Sequence, residues 1–103
     1  MIEITFNPKN LELKIDGHAG ADEKGKDIVC AAVSVLFYTL GNCLSDSAHM
    51  IEGDITFTDE DGHGHIQCKP KEMYVPTIQR TYYTVLTGLY MLAEAYPQYI
   101  LLK

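Results

Sequence analysis

Two stretches decide how this chain folds: Gly17-His18-Ala19-Gly20 and, six residues further on, Asp27-Ile28-Val29-Cys30-Ala31-Ala32-Val33-Ser34. The first follows Leu11, Leu13 and Ile15 alternating with Glu12, Lys14 and Asp16, the period of a half-buried strand, so His18 stands at a strand exit. The second opens an apolar segment with three- and four-residue spacings, which predicts a helix over residues 27–45. Between them residues 19–26 are Gly-rich and charged, with no apolar side chain larger than alanine, and are expected to form a mobile lid hinged at Gly20 and Gly25.

Asp27 is a good N-cap, because its carboxylate can accept from the N–H of the third helical position, here Cys30. The Cys30 sulfur then lies at the positive end of the helix macrodipole, which favours thiolate over thiol. An imidazole within reach supplies a general base or acid, and Gly17 and Gly20 give the backbone freedom to bring His18 over the helix end. A plain reading stands beside this one: a cysteine in an apolar helix is often a small buried hydrophobe, and a loop histidine is often only a surface residue. Asp27 has a second candidate role, orienting His18, although a carboxylate engaged as a cap is poorly placed for it. Ser34, one turn after Cys30, reads as a packing or hydrogen-bonding residue beneath the sulfur. The N–H groups of Cys30 and Ala31 are the candidate oxyanion donors, with a loop glycine as the alternative.

Gly17-His18-Ala19-Gly20, Gly25-Lys26-Asp27-Ile28-Val29-Cys30-Ala31-Ala32-Val33-Ser34 and the ending Leu92-Ala93-Glu94-Ala95-Tyr96-Pro97-Gln98-Tyr99-Ile100 resemble the ribosomal-processing cysteine proteases, small bacterial endopeptidases called Prp. The resemblance covers essentially the whole chain. It implies a His18/Cys30 dyad, a homodimer, and a protein substrate: the N-terminal extension of large-subunit ribosomal protein twenty-seven. Ala21 departs from the aromatic residue many relatives carry after His-Ala-Gly. The divergent middle leaves open a paralogue acting on another precursor, such as a phage structural protein.

Working outward, Ile2, Ile4 and Phe6 alternate with Glu3, Thr5 and Asn7, and Asn7-Pro8-Lys9-Asn10 turns this strand into the next. Residues 50–58 read as a third strand with Ile55 and Phe57 inward. Asp59-Glu60-Asp61-Gly62-His63-Gly64 is a turn and residues 65–69 a fourth strand. After a loop at residues 70–76, Thr77 caps a second helix with the stripe Ile78, Tyr82, Val85, Leu86, Leu89 and Ala93. Residues 98–102 are a short final strand. The first helix is given the stripe Ile28, Ala32, Val35, Leu36, Thr39, Leu40 and Cys43. Val33 and Phe37 widen it beyond one stripe, toward burial by the sheet and by a partner subunit, and Gly41-Asn42 is a potential early end. The order ββαββα predicts an α+β domain over residues 1–103, two-layered, with two long helices on a mainly antiparallel sheet.

With 103 residues and 47% hydrophobic content, the chain has enough apolar material for one core. A net charge of −6 argues against nucleic acid and suits a basic peptide. The apolar runs are too short and interrupted to predict a membrane span, the N-terminus lacks signal-peptide features, and three cysteines make no disulfide framework, so a reducing cytoplasm is expected, which the resemblance implies is bacterial. No cofactor is expected. His63, His65 and Cys68 invite a metal reading, but zinc needs four ligands for a closed site, and in a strand His65 and Cys68 point to opposite faces. Cys43 and Cys68 read as core residues, and Tyr82, Tyr83 and Tyr90 as helix packing and dimer surface. A non-catalytic peptide-binding module and a small metal-binding protein remain as alternatives of other classes. Thiol alkylation and elemental analysis separate them.

Overall fold

The computed structural model describes residues 1–20 and 27–103. The proposed lid at residues 19–26 therefore falls largely outside the described residues, as does Ala21. Five strands, β1 (Ile2–Asn7), β2 (Glu12–Asp16), β3 (Ile51–Glu60), β4 (His63–Pro70) and β5 (Ile100–Leu102), form one sheet in the order β3-β4-β2-β1-β5. Helices α1 (Ile28–Asp46) and α2 (Val75–Ala95) supply the second layer. Three strand pairings are antiparallel and the last, β1 with β5, is parallel, giving the expected α+β fold.

Alternation does the sorting. Ile2 and Ile4, Leu13 and Ile15, and Ile66 and Cys68 are buried, and the residues between them face outward. A one-residue slip in any strand would expose its whole apolar set, so the register is firmly specified. The open face pairs His65 Nε2 with Glu12 at 2.7 Å and His63 Nδ1 with Asp16 at 2.9 Å, while Cys68 faces the core. On α2 all six predicted stripe residues are buried. Tyr82 lies 5.9 Å from the Phe6 ring, and its hydroxyl meets Cys68 Sγ at 3.6 Å. Burial raises the pKa of both groups.

Helix α1 corrects the sequence reading. Its buried residues are Val29, Val33, Phe37, Leu40, Gly41 and Leu44, whereas Ile28, Val35, Thr39 and Cys43 are exposed. The predicted stripe was rotated because this helix is apolar on several sides, and pattern alone does not fix which arc the sheet takes. Phe37 fixes it. Its ring lies against Gly64 on β4, where a Cβ would come within 2.8 Å, and 5.7 Å from Phe57 on β3. Val33 and Phe37 are thus core, not surplus surface. The helix runs through Gly41, whose bare α-carbon accepts the Phe57 ring, a close approach that glycine alone permits. By length and composition α1 is apolar enough to cross a membrane, with mean hydropathy 1.8, contrary to the reading of the short runs. Here its buried face packs on the sheet. Helix α2 starts at Val75 with Tyr74 as N-cap, not at Thr77, because Pro76 is favoured in a first turn and sets its φ. The loop before it is shorter than expected: β4 reaches Pro70, and Glu72–Tyr74 is a 3₁₀ turn.

Candidate active site

Strand order places His18. Strand β2 lies between β4 and β1, both antiparallel to it, so its exit is flanked by the starts of both. On one side Met1 N donates to His18 O at 2.7 Å, and a Cβ on Gly17 would lie 2.4 Å from Met1 O. On the other, Gly17 N donates to Gly62 O at 2.7 Å in the β3–β4 turn. Gly17 has φ +95°, so both its conformation and its neighbours demand glycine. Gly20, at φ +68°, has nothing among the described residues within 4 Å of a built Cβ.

Helix capping places Cys30. Asp27 Oδ1 accepts from Val29 N and Cys30 N, both at 3.0 Å, and the residue as a whole is buried. Cys30 is therefore fixed in the first turn, where the unpaired N–H groups of a helix concentrate positive charge. Across from it Ala19 N donates to Cys30 Sγ at 3.3 Å. The Ala19 side chain is buried in the core, so this amide is held in place.

His18 and Cys30 line one cleft of about 260 Å³, with Gly17, Ser34, Tyr38, Asp59, Asp61 and Gly62 among its other walls. The tip of the His18 imidazole sits on Gly62, where a Cβ would lie 2.8 Å from Nε2. Tyr38 donates its hydroxyl to Asp59 across the cleft, and that bond raises the Tyr38 pKa.

Two expectations change. The N–H of Cys30 is engaged by the Asp27 side chain, and that of Ala31 by Asp27 O at 3.1 Å, so neither is free as an oxyanion donor. Capping and first-turn helix bonds consume them. Ser34 is exposed on the cleft wall one turn beyond Cys30, not beneath the sulfur. The sequence reading also missed Tyr38, Asp59, Asp61 and Gly62. Tyr38 was legible as two turns past Cys30 on the same helix face. The other three become neighbours only once β4 is known to pair with β2.

The model of the cysteine protease Prp family matches residues 1–101. This chain belongs to that family and is a cysteine protease. It is 31% identical over 104 residues to the ribosomal processing cysteine protease Prp of Staphylococcus aureus, covering 99% of this chain and 95% of that one. The crystal structure of the S. aureus Prp with a covalently linked product peptide superposes with a TM-score of 0.76 at 30% identity, over 99% and 95% of the two chains. The structure of that Prp with a substrate peptide gives 0.70 at 29% identity and the same coverage. The fold is that of the family, and a protein substrate in a ribosomal-processing role accords with it.

Proposed function

We propose that Cys30 is the nucleophile and His18 the general base and acid of this protease. The observation that carries the reading is the Ala19 N–H aimed at Cys30 Sγ in the cleft that His18 also lines. An N–H donor and a helix N-terminus both stabilise the thiolate. The thiolate attacks the scissile carbonyl carbon, forming a C–S bond. His18 gives its proton to the leaving amine as the C–N bond breaks. His18 then takes a proton from water, the hydroxide attacks the thioester, and the carboxylic acid leaves Cys30 free.

The substrate in this reading is the N-terminal extension of large-subunit ribosomal protein twenty-seven, cut in the bacterial cytoplasm before assembly. The kinship with ribosomal-processing proteases and the net charge of −6, which suits a basic substrate, support it. The working unit is a homodimer. Ile28 and Val35 on α1 and Met91 on α2 are each more than 60% exposed, which supports a covered helix surface. Incubation with a peptide spanning the junction between extension and mature protein, with products read by mass, tests the assignment. One cut at that junction, lost in Cys30→Ala, is expected. An intact peptide removes this substrate.

A further inference from the structure

The geometry points to Gly62 as a positioning residue: its bare α-carbon is the seat on which the His18 imidazole rests. This deepens the reading of His18 as the base and stands on it. Asp61 and Gly62 are the two residues between the paired Glu60 and His63, with φ of +29° and +83°. That is the conformation of a tight hairpin turn with both central residues left-handed, in which Asp-Gly is a favoured pair. The turn alone thus already favours glycine at 62 through its φ.

The histidine adds a second demand. A Cβ at 62 would lie 2.8 Å from His18 Nε2 and 3.4 Å from Cδ2 and Cε1, so the ring meets this position end-on. Carbon atoms built on real backbones essentially never come so close, and either ring or turn must shift. The turn cannot shift freely, because Gly62 O accepts from Gly17 N, the residue just before His18. One residue thus holds both the backbone and the ring of the base. The ring has the freer path, which is displacement into the cleft that contains Cys30.

Gly53 gives a matched control. It lies in the β3 bulge at φ +66°, with nothing within 4 Å of a built Cβ. Gly62→Asn and Gly53→Asn both place asparagine, the side chain best suited after glycine to left-handed backbone, at positive φ, so the melting temperature reports the backbone strain of each, and only the first meets the imidazole. The readouts are the pH dependence of Cys30 alkylation by iodoacetamide, the NMR signals of the His18 ring, the melting temperature, and cleavage of the junction peptide. With similar melting temperatures, Gly62→Asn is expected to move the His18 signals and shift the alkylation profile toward that of His18→Ala. Its kcat is expected to fall by about a hundredfold, as for other small misplacements of catalytic groups, with little change in KM. Gly53→Asn is expected to resemble the unaltered protein in every readout. Unmoved His18 signals and an alkylation profile equal to that of Gly53→Asn would overturn the seat while leaving the dyad standing. Alkylation in His18→Ala that matches the unaltered protein would overturn both. If Gly62→Asn fails to fold, Gly62→Ala is read against Gly53→Ala by the same criteria.

Discussion

The backbone amide of Ala19 points at the sulfur of Cys30 across 3.3 Å, joining the residue after the histidine to the first turn of α1. A donor on a cysteine sulfur favours its charged, nucleophilic form.

Iodoacetamide at neutral pH should accordingly label Cys30 before Cys43 and well before Cys68. The comparison with Cys43 is sharp because Cys43 is exposed, so accessibility alone favours it. Mass mapping that finds Cys43 modified first would remove the activated-thiolate argument. Cys30→Ala should abolish cleavage with the fold retained, and Cys30→Ser should be nearly inactive.

Asp27 should matter to stability as a cap. Asp27→Ala leaves the Val29 and Cys30 amides unpaired and should cost about 1–2 kcal/mol, read from the urea midpoint. Asp27→Asn keeps an acceptor oxygen and should recover most of that loss. An unchanged midpoint in the alanine variant would mean that another group caps the helix.

Alkaline pH should weaken the fold through Cys68 and Tyr82. Burial raises both pKa values in the folded state, so the folded chain holds these protons where the unfolded chain releases them. Their contribution is complete below the unfolded values, roughly 8.5 for Cys and 10 for Tyr. It falls by about 1.4 kcal/mol per pH unit per group above them, until the folded value is reached. Urea midpoints at rising pH should decline above roughly pH 9, and Cys68→Val should remove the earlier part of the decline. A flat profile would mean that the thiol and phenol ionise in place.

Sedimentation at micromolar concentration should show a species of twice 11.5 kDa. Val35→Glu, on the exposed face of α1, should dissociate it without unfolding the monomer. A lone 11.5 kDa species in the unaltered protein would withdraw the dimer.

Strands β1 and β2 and helix α2 were legible because each has one apolar face, whereas β3 and β4 run on to Glu60 and from His63, two residues each into the stretch read as their turn. On α2 Ile78, Tyr82, Val85, Leu86, Leu89 and Ala93 admit a single arc, and the chain buries that arc. Helix α1 offers several arcs, and the choice among them lies in Phe37 meeting Gly64 and Phe57, residues far along the chain on β4 and β3. In the site, the Asp27 cap and the place of Cys30 in the first turn are local properties and were readable. The placement of the β3–β4 turn beside His18 is a property of strand order, which no short stretch encodes. The misassigned oxyanion donors have a third cause: the cap that fixes Cys30 uses the same amides.

The interleaving of β2 between β1 and β4 also bears on timing during synthesis. A nascent chain that ends at Glu60 already carries His18, Cys30 and Ser34, yet it lacks the turn and β4 that wall the cleft. Strand β2 then has only β1 beside it, and an isolated hairpin is marginal in water. The Cys30 thiol is thus made before the second hairpin that completes the wall of its cleft.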